Sequence, residues 1–221
     1  MKNVFIAGGT GYMGQCLIPE LLRRGHRVRA LARAGSETKV PTACELIQGD
    51  PLDRGSFAEN VSPADTYVHL VGVAHPSPRK AAEFQRMKSI EVAVPIAVAA
   101  RVHHFVYVSV AHPAPMMEAY IEIRSRGEDL IRESGINASI LRPWYVLGPG
   151  HQWPYLLKPF YLVCERIPST ADGARRLGLV TLEQMVAALV GAIENPAEGI
   201  RVVEVPQIRA SRPSSSRAAN V

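Results

Sequence analysis

The clearest chemical signal in this 221-residue chain is Gly8-Gly9-Thr10-Gly11-Tyr12-Met13-Gly14, which follows directly on the apolar run Val4, Phe5, Ile6, Ala7. The glycine spacing is GxxGxxG. Glycine lets the chain turn tightly and lets the backbone approach a pyrophosphate closely. A helix beginning at such a turn points free N–H groups and the positive end of its dipole at the phosphates. A strand before the turn and a helix after it is the context a dinucleotide requires. The end of the second predicted strand then chooses between the two nicotinamide dinucleotides. An acid there holds the ribose 2′-OH, and an arginine accommodates a 2′-phosphate. The residue is Arg33, with no acid before Glu37, so NADP is expected ahead of NAD. Arg29 lies four residues back on the same strand. Asp50 ends the third strand, either near the adenine or in an Asp50-Pro51 turn.

Other residue types able to do chemistry form weaker patterns. His69, His103, His104, His112 and His151 include no pair with the HxxxH spacing of a zinc helix, so no metal is expected. His103-His104 precedes a strand and is expected on the surface. Cys16, Cys44 and Cys164 are odd in number and far apart, which argues against a disulfide framework. The net charge is +5, but Arg209, Arg212 and Arg217 near the C-terminus supply three of those charges. No basic run alternates with aromatics, so nucleic acid is not an expected partner. No stretch of about eighteen apolar residues is free of charge or proline, which argues against a membrane span. The N-terminal apolar run is too short for a signal peptide. A cytoplasmic location is expected.

The elements that must position these residues alternate between strand and helix. Short apolar runs predict strands at 4–7, 27–33, 44–50, 65–71, 105–110, 139–143 and 201–205. Helical patterns cover 16–24, 78–102, 120–134 and 182–194, and Pro95 predicts a kink or break within the second. This alternation implies an α/β fold: a doubly wound, Rossmann-type parallel sheet with helices on both faces. One domain is expected over residues 1–208, of which 143–205 covers a substrate site, followed by a disordered tail at 209–221. Beyond Pro143 the segment is rich in proline, glycine and aromatics.

The segments AGGTGYMG, QGDPLD, VHLVG, FVYVSV, YIEIR and LRPWYVLGPG, in that order, resemble the atypical and extended short-chain dehydrogenases/reductases. That group includes NmrA-like and epimerase/dehydratase-like proteins, and the resemblance covers roughly residues 1–205. In it a serine at the end of the fifth strand positions a substrate oxygen. A tyrosine acts as general acid or base, and a lysine four residues later holds the nicotinamide ribose. The matching positions are Ser109, Tyr120 and Arg124, so the lysine of YxxxK is an arginine here. Ser89 stands where many relatives carry an asparagine. The resemblance also places Leu70, Val71, Gly72 and Pro143 beside the cofactor.

Tyr120 and Arg124 are i and i+4, so they share a helix face. A free tyrosine ionises at about pH 10, whereas base chemistry at neutral pH asks for about 7. A unit positive charge at about 4 Å supplies roughly that difference at an effective dielectric of about 20. Arginine has the charge, but its planar fork is bulkier than an ammonium and does not give up its proton. His112, in the loop between Ser109 and Tyr120, is a candidate substrate contact. Trp144, His151 and Trp153 are candidates for lining the pocket. The expected function is an NADP-dependent oxidoreductase acting on a small carbonyl, alcohol or quinone-like substrate, as a monomer or homodimer. The alternative is a non-catalytic NADP-binding sensor or scaffold of NmrA-like type.

Overall fold

The computed structural model describes residues 1–72, 88–114, 117–149 and 177–212. Seven parallel strands form one sheet: β1 (Asn3–Ala7), β2 (Arg27–Ala32), β3 (Glu45–Gln48), β4 (Thr66–His69), β5 (His104–Val108), β6 (Ala138–Arg142) and β9 (Ile200–Glu204). Their order is β3-β2-β1-β4-β5-β6-β9. A separate short parallel pair joins β7 (Tyr145–Leu147) to β8 (Leu179–Thr181).

Period-2 alternation sends successive side chains of each strand to opposite faces. In β1, Val4 and Ile6 enter one core, while Phe5 and Ala7 enter the other. On the first face lie α1 (Gly14–Arg23) and α4 (Leu182–Glu194), which bury Leu17, Ile18, Leu21, Met185, Leu189 and Ile193. On the second lie α2 (Ser89–Ala99) and α3 (Glu118–Glu133), which bury Ile90, Val94 and Ile131 against Phe5, Tyr67, Phe105 and Tyr107. Both faces are therefore covered, as the continuously apolar strands require. The strand order reverses between β1 and β4, and the crevice beyond the carboxyl ends of those two strands is where such sheets bind ligands.

The predicted strands are all present, most of them trimmed by a residue or more at one or both ends. Helix α4 has its predicted bounds, because Thr181 and Gln184 form a reciprocal capping box at its start. Three expectations are corrected. Helix α2 passes through Pro95 without a break, held by the burial of Ile90, Val94 and Ile96. His104 is the first residue of β5 and is 1% exposed, its Nε2 lying 3.1 Å from the Ser139 hydroxyl. A fifth helix among the described residues, α5 (Val205–Ala210), takes in Arg209 and Ala210, where the sequence predicts the start of the tail. Ile208 is buried there, and Arg209 donates to the Leu179 carbonyl at 2.9 Å. No helix among the described residues is long and apolar enough to cross a membrane.

Candidate nucleotide-binding and active site

Because the sheet is parallel, every loop after a strand emerges at the same edge. The glycine turn, Arg33, Asp50, Leu70 to Gly72, Ser109 and Pro143 thus come to one side of the molecule. At the turn itself, Gly8 has φ +89°, and a side chain there would put Cβ 2.8 Å from the Leu70 carbonyl carbon. Only glycine lets the end of β1 lie this close to the end of β4. A Cβ at Gly14 would reach 2.6 Å from the Gly8 carbonyl oxygen, so α1 starts directly beneath the turn. The Gly11 amide closes the turn onto the Gly8 carbonyl at 3.1 Å. Gln15 secures it by donating to the Thr10 carbonyl at 2.8 Å.

Met13, at the N-cap of α1, makes no side-chain cap, and no acid lies in the first turn. An uncapped, acid-free helix start behind a glycine turn presents donors and a positive dipole end to an anion. These residues fit the pyrophosphate of a dinucleotide. Tyr12 lies across the turn with its hydroxyl against Gly148, at a point where a Cβ on that glycine would collide with it. Arg33 is exposed just past β2, and its carbonyl accepts the Ser36 amide at 3.0 Å. Arg29 points elsewhere: its guanidinium donates to the carbonyls of Val61 at 3.0 Å and Ser62 at 2.9 Å, bracing that loop. Asp50 makes the Asp-Pro turn, with Oδ1 accepting the Leu52 amide at 2.9 Å.

One buried cation organises the other half of the site. Arg124 is 4% exposed. Its Nε and Nη2 both donate to the Tyr120 hydroxyl at 3.2 Å. Nη2 also reaches the Val71 carbonyl at 3.3 Å, which ties α3 to the loop after β4. Burial opposes the charge, but Tyr120 and Tyr107 outweigh it, so the guanidinium pKa rises and the group stays charged. Beneath it, burial and then Arg124 push His69 down to about 3, so that imidazole is neutral. The His69 Nε2 lies 3.2 Å from the Ser89 hydroxyl, which is how Ser89 is used.

Ser109 is engaged within the protein. Its hydroxyl donates to Glu128 Oε1 at 2.6 Å. The physical reason is Glu128, a carboxylate 1% exposed that needs donors in the interior. Arg142 Nε supplies one at 2.9 Å and Arg132 Nη2 another at 3.2 Å. Burial raises the Glu128 pKa, but the Arg142 and Ser109 bonds more than reverse this and it falls below the ordinary carboxylate value. His112 presents Nε2 to the same carboxylate at 3.5 Å. Sequence reasoning missed Glu128, Arg142 and Tyr107. The signal for Glu128 was available, since Tyr120, Arg124 and Glu128 are spaced i, i+4, i+8 along one face of α3.

Pro143 accepts the Ala111 amide at 2.9 Å, joining the ends of β5 and β6. Trp144 is 8% exposed and packs edge-on against Tyr145 with ring centroids 5.4 Å apart. His151 and Trp153 lie outside the described residues.

A doubly wound parallel sheet with a glycine-rich turn at its switch point defines a dinucleotide-binding α/β domain. The chain belongs to the NAD(P)H-binding family, whose model matches residues 8–152. It is similar to ceramide reductase of Caulobacter vibrioides, 24% identical over 208 residues that cover 93% of this chain and 65% of that protein. It is also similar to 3-diazoavenalumate denitrifying reductase of Streptomyces sp, 27% identical over 89% of this chain and 74% of that protein. The chain thus spans just under two thirds of the length of the ceramide reductase. Among solved structures, WbmH of Bordetella bronchiseptica in complex with NAD+ superposes with a TM-score of 0.68 at 19% identity, over 92% of this chain and 75% of that one. A short-chain dehydrogenase/reductase superfamily protein of Agrobacterium tumefaciens with bound NAD superposes with a TM-score of 0.66 at 18% identity, over 94% and 82%. These likenesses bear out the expected fold, and the family match bears out the expected NAD(P)-binding domain.

Proposed function

We propose that the protein is an NADP-dependent reductase of a small, apolar carbonyl or quinone-like compound, with Tyr120 as its general acid. The observation that carries this reading is the Tyr120 hydroxyl held at 3.2 Å by two donors of a buried, charged Arg124. In this reading residues 8–14 hold the pyrophosphate, Arg33 meets the 2′-phosphate, and Leu70 to Gly72 and Pro143 flank the rest of the dinucleotide. A bound NADPH supplies a hydride to the carbonyl carbon. Tyr120 gives its phenolic proton to the carbonyl oxygen, completing the alcohol. Arg124 stabilises the tyrosinate left behind, a charge-assisted contact in a water-poor setting. Ala114, Met117, Ile121 and Tyr145 are partly buried hydrophobics of the same core cluster as Tyr120, which favours an apolar substrate. The two similar reductases support the reaction class.

The test is a fluorescence titration with NADPH and NADH, followed by turnover with a panel of ketones, aldehydes and quinones. Tight NADPH binding with reduction of a panel member supports the proposal. Absence of nucleotide binding overturns it. One observation favours a second reading, a non-catalytic NADP-binding sensor: Ser109, which would hold the substrate oxygen, is committed to Glu128. Binding of NADPH with no oxidation by any panel member would select that reading.

A further inference from the structure

The geometry points to Tyr107 as a positioning residue that lets an arginine take the place of the family's lysine beside Tyr120. The inference rests on the reductase reading for its catalytic consequence. A lysine ammonium is compact and has three donors, whereas a guanidinium is a planar fork with five, and each buried donor needs an acceptor. Arg124 spends Nε and Nη2 on the Tyr120 hydroxyl and shares Nη2 with the Val71 carbonyl. Nη1 donates to the Tyr107 hydroxyl at 3.4 Å. The guanidinium carbon also sits over both rings, 5.5 Å from the centroid of Tyr107 and 5.4 Å from that of Tyr120. The cation is therefore clamped between two phenols, which fixes the plane of the fork and so the aim of the two donors at Tyr120.

The two phenols are not equivalent. Tyr107 is 1% exposed at the end of the fully buried strand β5, while Tyr120 is partly exposed on α3. Burial pushes the Tyr107 hydroxyl upward, so it remains a neutral acceptor and does not compete as proton donor. Room for that hydroxyl comes from Gly127, on the same helix face. A Cβ there would stand 2.5 Å from the Tyr107 oxygen. Among the described residues, the titratable groups that act on the clamp include His69 on β4, held neutral, and Glu128 on α3, paired with Arg142. Tyr107, Gly127 and Arg124 thus form one unit.

The experiment compares the full chain with Tyr107→Phe and Gly127→Ala. The readouts are nitration of Tyr120 by tetranitromethane, mapped by mass spectrometry, and kcat and KM with NADPH and a reducible ketone. Nitration proceeds through the phenolate, so it reports how well the cation supports Tyr120 without requiring turnover. In Tyr107→Phe, nitration of Tyr120 is expected to slow by about fivefold, the scale of one lost hydrogen bond, with kcat falling similarly. KM for NADPH is expected to hold within about twofold, since the glycine turn is untouched. Gly127→Ala improves helix propensity yet displaces the Tyr107 hydroxyl, so it should reproduce both effects in a chain of undiminished helicity. Unchanged or faster nitration in both variants would overturn the proposal, whatever happens to kcat. Slowed nitration in an enzyme whose wild type reduces nothing would uphold the clamp and remove the reductase reading instead.

Discussion

At the scale of single residues the site is a contest for donors and acceptors in an interior that tolerates no loose ends. Arg124 and Glu128 lie one turn apart on α3, yet each is satisfied by different groups: the first by Tyr120, Tyr107 and Val71, the second by Ser109, Arg142 and Arg132. Removing the Tyr120 hydroxyl tests the chemistry. Tyr120→Phe is expected to lower the rate of substrate reduction by about 10²- to 10⁴-fold, the usual scale of general acid catalysis, while the NADPH titration is unchanged. A rate within a few fold of wild type would show that the proton comes from elsewhere. Arg33→Ala tests the choice of dinucleotide. Its side chain is exposed, so the substitution leaves the fold intact, and the NADPH preference over NADH should fall by about tenfold or more through loss of a charge-assisted contact. The competition between the two nucleotides in a fluorescence titration measures this directly. The i, i+4 pairing of Tyr120 with Arg124 was legible because one helix turn sets it. The engagement of Ser109 was not, because Glu128 lies nineteen residues away and meets it only after β5 and α3 have packed.

At the scale of elements, local sequence signals worked where the element is self-sufficient. Helix α4 begins directly after Thr181 because its capping box is written in residues 181–184, and the strands are apolar runs that no helix period fits. The signals failed where packing overrides propensity. Pro95 removes one amide from α2, but the helix is buried along Ile90, Val94 and Ile96 and continues to Ala99. Residues 209–210 of α5 read as the start of a polar tail, and the helix itself is not legible, because it buries only Val205 and Ile208, too few to show a period. The glycine turn is the element on which the proposed nucleotide binding depends most. Gly8→Ala demands φ +89° of a residue with a side chain and drives Cβ to 2.8 Å from the Leu70 carbonyl carbon. We expect a loss of about 1–3 kcal/mol in urea unfolding, together with loss of NADPH binding at concentrations that saturate wild type. Full binding by a stable Gly8→Ala chain would remove the turn from the site.

At the scale of the whole molecule, the two cores that hold the sheet also bury titratable groups, and this makes the fold itself sensitive to acid. His69 and His104 sit on adjacent strands β4 and β5, each about 1% exposed. Burial first, and then Arg124, lowers His69 from 6.5 to about 3; burial first, and then Arg201 and Lys2, lowers His104 from 6.5 to about 4. In the unfolded chain both take up a proton as the pH falls through 6.5, whereas in the folded chain both stay neutral until about 4 or below. The unfolded state therefore binds more protons throughout that window, and stability must fall with pH. The stability these neutral imidazoles contribute is complete above 6.5 and is lost progressively as the pH drops through the folded values. Each contributes a slope of at most about 1.4 kcal/mol per pH unit. Glu128 extends the loss below the ordinary carboxylate range, since its lowered pKa means that it too takes up a proton more readily when unfolded. Urea unfolding at pH 7.5, 6 and 5 should give a declining free energy with an unchanged m-value. His104→Gln, which keeps an amide within reach of the Ser139 hydroxyl, should flatten the decline by about one proton. A wild-type free energy that stays level from pH 7 to 5 would mean that water reaches these imidazoles and that the end of β5 around His104 opens readily.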